Sequence, residues 1–300
     1  VVVVLALNEK SRIHHFVQRL DDLEVRGALQ FAVMALVVLP ILPPGPFGPF
    51  GGVQPRALWI LVLIFSGLNF LGFIARRAVG VSRGYGYAGL LGGLVSSTAV
   101  TLTFSRRSRD EPEAAGALAA GVLGACTVLI VRVALVTFVL NQATAWALLP
   151  YLAAPLAVGL VLVLRGFRRR VATGVSAEAP MARAVSPLRL ASAIRMAVLF
   201  QGSLMALAWV RLQFGDPGVL PLAALLGLTD MDALTISMAK LRPAAEMASL
   251  GAQAIAVGLL SNTALKFGLA VGLGERQYRR SAGTGLVLLG AATLLGFLLF

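Results

Sequence analysis

A single cysteine, Cys126, stands in the whole chain, so no internal disulfide can form. Acidic residues are scarce, 13 Asp and Glu against 26 Lys and Arg. Phosphate-cradling glycine loops, Cys/His metal-ligand clusters and nucleophile elbows are all missing. The adjacent pair His14 and His15 is too small a cluster to hold a metal and reads as solvated. The chain is therefore expected not to be an enzyme. Period-two alternation is missing too, which excludes a spanning β-barrel.

What remains is apolar. Of 300 residues, 58% are hydrophobic and only 13% are charged, and the mean hydropathy is +0.86. Runs of about 20 apolar residues cross about 30 Å of hydrocarbon. Helices alone satisfy the backbone there once barrels are excluded. A net charge of +13 would point to nucleic acid in a soluble protein. In a membrane chain it reads instead as basic cytoplasmic loops facing anionic lipid, and no nucleic-acid partner is expected.

Nine apolar segments stand out: Gly27–Leu42, Ala57–Ala75, Tyr85–Phe104, Ala114–Leu140, Ala145–Leu164, Leu190–Val210, Val219–Ala239, Met247–Leu273 and Ala282–Phe300. Ahead of them, Asn8–Arg26 has the spacing of an interfacial helix, with Ile13, Phe16, Val17, Leu20 and Leu23 on one side. Pro40, Pro43, Pro44, Pro46 and Pro49 end the first segment in a Pro/Gly-rich loop. The organisation expected is a leading stretch 1–26, a first helix and loop 27–56, repeat one 57–165, a basic linker 166–187 and repeat two 188–300.

Charge decides the topology. If all nine segments span from a cytoplasmic N-terminus, 11 Lys/Arg fall inside and 12 outside, with no bias. If the third and seventh segments enter and leave on one side, 19 fall inside and 4 outside. The positive-inside rule prefers the second arrangement. Both segments are also breakable. The third is rich in glycine (Gly84, Gly86, Gly89, Gly92, Gly93) and runs into Ser96, Ser97 and Thr98. The seventh holds Pro221 and Gly227 before Thr229, Asp230, Met231 and Asp232. Such clusters let the backbone turn where protein or water surrounds it. Two ordinary helices with small-residue packing faces are the plainer alternative.

The halves repeat at an offset of 134 residues. Gly93 meets Gly227, Ala99 meets Ala233, Thr101 meets Thr235, Gly124 meets Gly258, and Arg132 meets Lys266. With re-entrant segments the repeats are inverted, the architecture of many secondary transporters. The fold expected is an all-α polytopic helix bundle of two inverted repeats, each with a broken or re-entrant segment.

Asp230 and Asp232 are the acids inside apolar segments, where each costs roughly 2.5–3.5 kcal/mol unless paired or hydrated. Residues two apart share no helix face, so they converge only if the backbone is unwound. Carboxylates with the hydroxyls of Ser96, Ser97, Thr98 and Thr229 form an oxygen-rich set that suits a hard cation such as Mg²⁺. The structural alternative pairs both acids with Arg132 and Lys266. Those two cations could also snorkel to headgroups, as Arg195 is expected to do. Asn262 and Thr263 are expected to give supporting hydrogen bonds between helices.

Four blocks carry a resemblance. They are Ala28-Leu-Gln-Phe-Ala leading to Leu39-Pro, Gly89-Leu-Leu-Gly-Gly-Leu-Val-Ser-Ser-Thr-Ala-Val, Gly227-Leu-Thr-Asp-Met-Asp-Ala-Leu-Thr, and Leu260-Ser-Asn-Thr-Ala-Leu-Lys. Together they resemble the C-terminal domain of unknown function in long MgtC/SapB-type bacterial membrane proteins, with Val1–Arg26 similar to the end of the preceding MgtC domain. The resemblance implies the bacterial inner membrane. Its link to magnesium belongs mainly to that other domain. Three functions follow as expectations. The first is a transporter or channel for a small inorganic ion, Mg²⁺ favoured, in contact with the bilayer and open to homo-oligomerisation. The second is a proton- or Na⁺-coupled transporter of a small anion bound by Arg132 and Lys266. The third is a non-transporting regulatory membrane partner.

Overall fold

A computed structural model describes residues 22–45, 47, 55–60, 62–64, 66–67, 70, 84–173, 190–239 and 245–299. Most of the expected interfacial stretch, most of the loop after the first segment, and most of the linker before residue 190 lie outside them. Helices dominate throughout, and no β-strand element forms among the described residues. Six helices among them are long and apolar enough to cross a membrane by length and composition. The chain is a multi-pass membrane protein with an all-α fold.

The first helix, α1, covers 22–41, with a π-helical turn at Met34–Val38 between two α-helical pieces. It begins before Gly27, so residues 22–26 belong to it rather than to an interfacial helix. Trp59 Nε1 donates to the Met34 carbonyl at 2.9 Å and ties α1 to the next apolar segment.

Next comes α2, Gly84–Asp110, and its length misleads. Ser96 interrupts it with extended backbone, φ −162° and ψ 109°. On a continuous helix Tyr85 and Phe104 would lie about 28 Å apart. Their rings instead meet edge to face with centroids 5.6 Å apart. Arg107 Nε donates to the Tyr85 hydroxyl at 2.7 Å, across the same doubling. The helix is thus a hairpin folded at Ser96, re-entering rather than crossing. Glycines allow its tight seat: a Cβ on Gly89 would stand 2.2 Å from the Gly121 carbonyl oxygen.

Three helices follow: α3 (Ala115–Leu140), α4 (Gln142–Thr173) and α5 (Leu190–Phe214). Here α4 runs past Gly166 through Arg168–Arg170, so the helix continues into the stretch expected as linker. The second hairpin is α6 (Val219–Thr229) and α7 (Met231–Ala239), broken at Asp230. It folds back as the first does, since Gly258 lies against both Ala223 and Leu234. The chain ends with α8 (Ala245–Leu273) and α9 (Arg276–Leu299).

The repeats are inverted. At one face the end of the first hairpin meets the α8–α9 turn: Arg109 donates to the Gly272 carbonyl at 3.1 Å, and Glu275 N–H donates to Ser108 Oγ at 2.9 Å. At the other face, Asn141 between α3 and α4 donates to the Ala239 carbonyl at 3.2 Å, where the second hairpin ends. The hairpins therefore enter from opposite faces, as the charge count requires. Even the caps repeat. Asn141 Oδ1 accepts from Thr144 N–H at 3.2 Å, and Glu275 Oε2 accepts from Gln277 N–H at 2.7 Å. Those two N-caps stand 134 residues apart, and each satisfies orphan donors of its repeat's last helix.

Candidate functional site

Each hairpin tip is built the same way. Ser96 Oγ accepts from the Ala99 N–H at 3.3 Å and caps the returning half of α2. Asp230 is likewise extended, φ −152° and ψ 105°. Its Oδ1 accepts from the N–H groups of Asp232 at 2.9 Å and Ala233 at 3.1 Å, capping α7. Both tips thus aim the positive end of a helix at the space between the hairpins.

That space is a pocket of about 350 Å³. Ser96, Ser97, Thr98, Thr229, Asp230 and Asp232 all line it, and so do Arg132 and Asn262. The unwound backbone at Asp230 is what lets two acids at adjacent-but-one positions reach one cavity. Val95, Ala99, Leu129 and Met231, which the sequence did not single out, complete the wall.

The cations cross over. Arg132 on α3 is 7% exposed and Lys266 on α8 is 1% exposed, so neither snorkels to a headgroup. Arg132 Nη2 donates to Asp232 Oδ1 at 2.7 Å, in the first turn of the other repeat's returning half-helix. Lys266 Nζ donates to Ser97 Oγ at 2.8 Å, also in the first turn of the opposite half-helix. Of the two ion pairs weighed from sequence, one forms. Lys266 has no carboxylate within salt-bridge distance among the described residues.

The carbonyl ends of the entering half-helices are closed by side chains. Arg132 Nη1 donates to the Leu94 carbonyl at 2.8 Å, a favourable place for a cation. Asn262 Nδ2 donates to the Gly227 carbonyl at 2.8 Å. Among the described residues two buried atoms here find no partner, Arg132 Nε and Asn262 Oδ1. Thr263 takes no part, because its Oγ1 donates to the Leu259 carbonyl within its own helix at 2.8 Å and it does not line the pocket. The side chain of Arg195 lies outside the described residues.

Divalent-cation chemistry finds few free ligands. Among the described residues no group of three or more His, Cys, Asp and Glu side chains comes together. One oxygen of each pocket carboxylate is already engaged, Asp230 as a cap and Asp232 with an arginine.

At the mouth of the first hairpin, Tyr85, Arg107 and Glu111 form a cluster that sequence reading missed. Glu111 accepts from both Arg107 and the Tyr85 hydroxyl. The Arg107 hydrogen bond, then that of Tyr85, holds the Glu111 carboxyl below its ordinary range.

A family model described as a domain of unknown function, DUF4010, matches residues 62–274. The chain belongs to the DUF4010 family. That stretch of DUF4010 holds both hairpin tips, both crossing cations and the whole pocket wall. A protein of Aquifex aeolicus (strain VF5), described as uncharacterized, is 27% identical over 195 residues, covering 63% of this chain and 82% of that protein. No solved structure matches this DUF4010 chain.

Proposed function

We propose that the chain is a secondary transporter of a small inorganic anion, bound where the two hairpin tips meet. The observation that carries this reading is the crossing of Arg132 and Lys266 to the opposite half-helix N-termini. A cation beside a helix N-terminus is repelled by the dipole, and an anion there is attracted. Arg132 and the two termini line one pocket, and Lys266 stands behind its wall on Ser97. Against them stand Asp232, spent on Arg132, and Asp230, spent on its cap. An anion displacing Asp232 from Arg132, or resting beside Lys266, would relieve the imbalance. Asp232 is then the group that carries a coupling proton or Na⁺. Inverted repeats with broken helices at the midplane support alternating access around such a site.

The MgtC/SapB-type resemblance and its magnesium association favour a cation instead, and with them a bacterial inner-membrane location. The engaged carboxylates weigh against the cation, not against that location. Purified chain in detergent, titrated with chloride, nitrate, sulfate and phosphate and separately with Mg²⁺, tests the reading by thermal shift. A rise in Tm with at least one anion is expected, followed by flux of that anion in proteoliposomes. Stabilisation by Mg²⁺ alone returns the site to the cation reading. No response to any ion leaves the regulatory one.

A further inference from the structure

A second cavity shares no lining residue with the pocket at the hairpin tips. It is an open groove of about 510 Å³ between α8 and α9. Its walls are Phe267 and Val271 on α8, and Val287 and Leu288 on α9. All four face outward as membrane-exposed or half-exposed apolar groups. Arg279 and Arg280 close one end. Both are exposed, and among the described residues neither makes an ion pair.

The α9 register explains the shape. Arg280, Thr284, Val287 and Leu288 recur at helical spacing and share one face. Gly283 keeps the floor low, since even an added Cβ would meet Phe267 only at 3.5 Å. Val287 and Leu288 lie about 10–14 Å deeper along the helix than the arginines. A charged rim with an apolar slot below it is the profile of one amphiphile lying along the helix pair.

The face bearing the arginines is also fixed. Arg109 reaches Gly272 at the α8–α9 turn, so Arg106, Arg107 and Arg109 gather at the same face as Arg276, Arg279 and Arg280. By the positive-inside rule this face is cytoplasmic, where anionic lipid is concentrated.

We propose that this groove binds one anionic phospholipid, its phosphate on Arg279 and Arg280 and one acyl chain between α8 and α9. The site is independent of the pocket at the hairpin tips. Delipidated full chain in mild detergent, titrated with phosphatidylglycerol, with phosphatidylcholine of the same acyl chains, and with inorganic phosphate, tests it by thermal shift and native mass spectrometry. Phosphatidylglycerol should stabilise and remain bound as one molecule, while the other two should not. The double variant Arg279→Gln/Arg280→Gln should weaken phosphatidylglycerol by roughly 30-fold, and Thr284→Trp should block it by filling the slot. Arg276→Gln, at the same face but outside the groove, should change little. Equal stabilisation by phosphatidylcholine, a full effect from inorganic phosphate, or an unaltered affinity in both groove variants overturns the proposal.

Discussion

Ser96 and Asp230 hold the same backbone conformation, φ −162° and ψ 109° against φ −152° and ψ 105°, at positions separated by the repeat offset. Each is the point where a helix folds back, and each caps the half-helix that follows. A serine does this in one repeat and an aspartate in the other.

Capping therefore sets what Asp230 substitutions do. Asparagine is as good an N-cap as aspartate, so Asp230→Asn should leave stability almost unchanged. Asp230→Ala should cost about 1 kcal/mol. Unfolding of the two variants, compared with their transport, checks this. Transport lost in a fully stable Asp230→Asn would give the carboxylate a role in ion binding rather than in the fold.

Asp232 should behave differently. Asp232→Asn strands the buried Arg132 guanidinium, and breaking such a pair typically costs about 3–5 kcal/mol. The double variant Asp232→Asn/Arg132→Gln should recover most of that stability yet remain inactive. A single variant as stable as the parent would show that the pair contributes nothing to the fold.

Lys266→Met removes a buried cation that hydrogen-bonds the Ser97 hydroxyl and forms no ion pair among the described residues. Its Tm should stay level or rise, while the Tm response to the bound anion should vanish. A retained anion response in a folded Lys266→Met protein would move the substrate away from this residue.

Close backbone approach predicts a sharp contrast among glycines. A Cβ on Gly227 would stand 2.4 Å from the Gly258 carbonyl oxygen, whereas one on Gly116 would meet nothing within 4 Å. Gly227→Ala should destabilise by about 1–3 kcal/mol or more. Gly116→Ala should be neutral or stabilising by up to about 1 kcal/mol. Thermal unfolding in one detergent compares them directly.

Topology is open to labelling. In a Cys126→Ser background, single cysteines at Glu113 and Arg276 should react from one side of the membrane, and cysteines at Asp216 and Trp146 from the other. Trp146 and Arg276 labelled from the same side would make the repeats parallel.

Much of this was legible without coordinates. Glycine and hydroxyl clusters marked where both helices break, and the basic residues sided with the re-entrant arrangement. The offset that matched Arg132 with Lys266 also joins Ser96 to Asp230 and Asn141 to Glu275, and following it further would have revealed the caps. Other features could not be read. Whether Asp230 is a ligand or a cap depends on which residue takes the extended conformation, and composition does not say. Thr263 looked like its neighbour Asn262, but one helix position turned its hydroxyl back to its own backbone. Tyr85 and Arg107 are 22 residues apart, and only the folded hairpin brings them together.

The crossing of the cations is not quite symmetric, and that carries a consequence. Arg132 holds a carboxylate, whereas Lys266 holds a serine hydroxyl. Two identical halves trading conformations would idle open to either side in equal proportion. An ionic latch on one tip and a neutral latch on the other break that parity. On the transporter reading proposed above, the machine acquires a preferred resting side and a tip that lets go first. Replacing Thr98, the repeat counterpart of Asp232, by Asp would offer the first tip a carboxylate of its own and push the two resting populations toward balance.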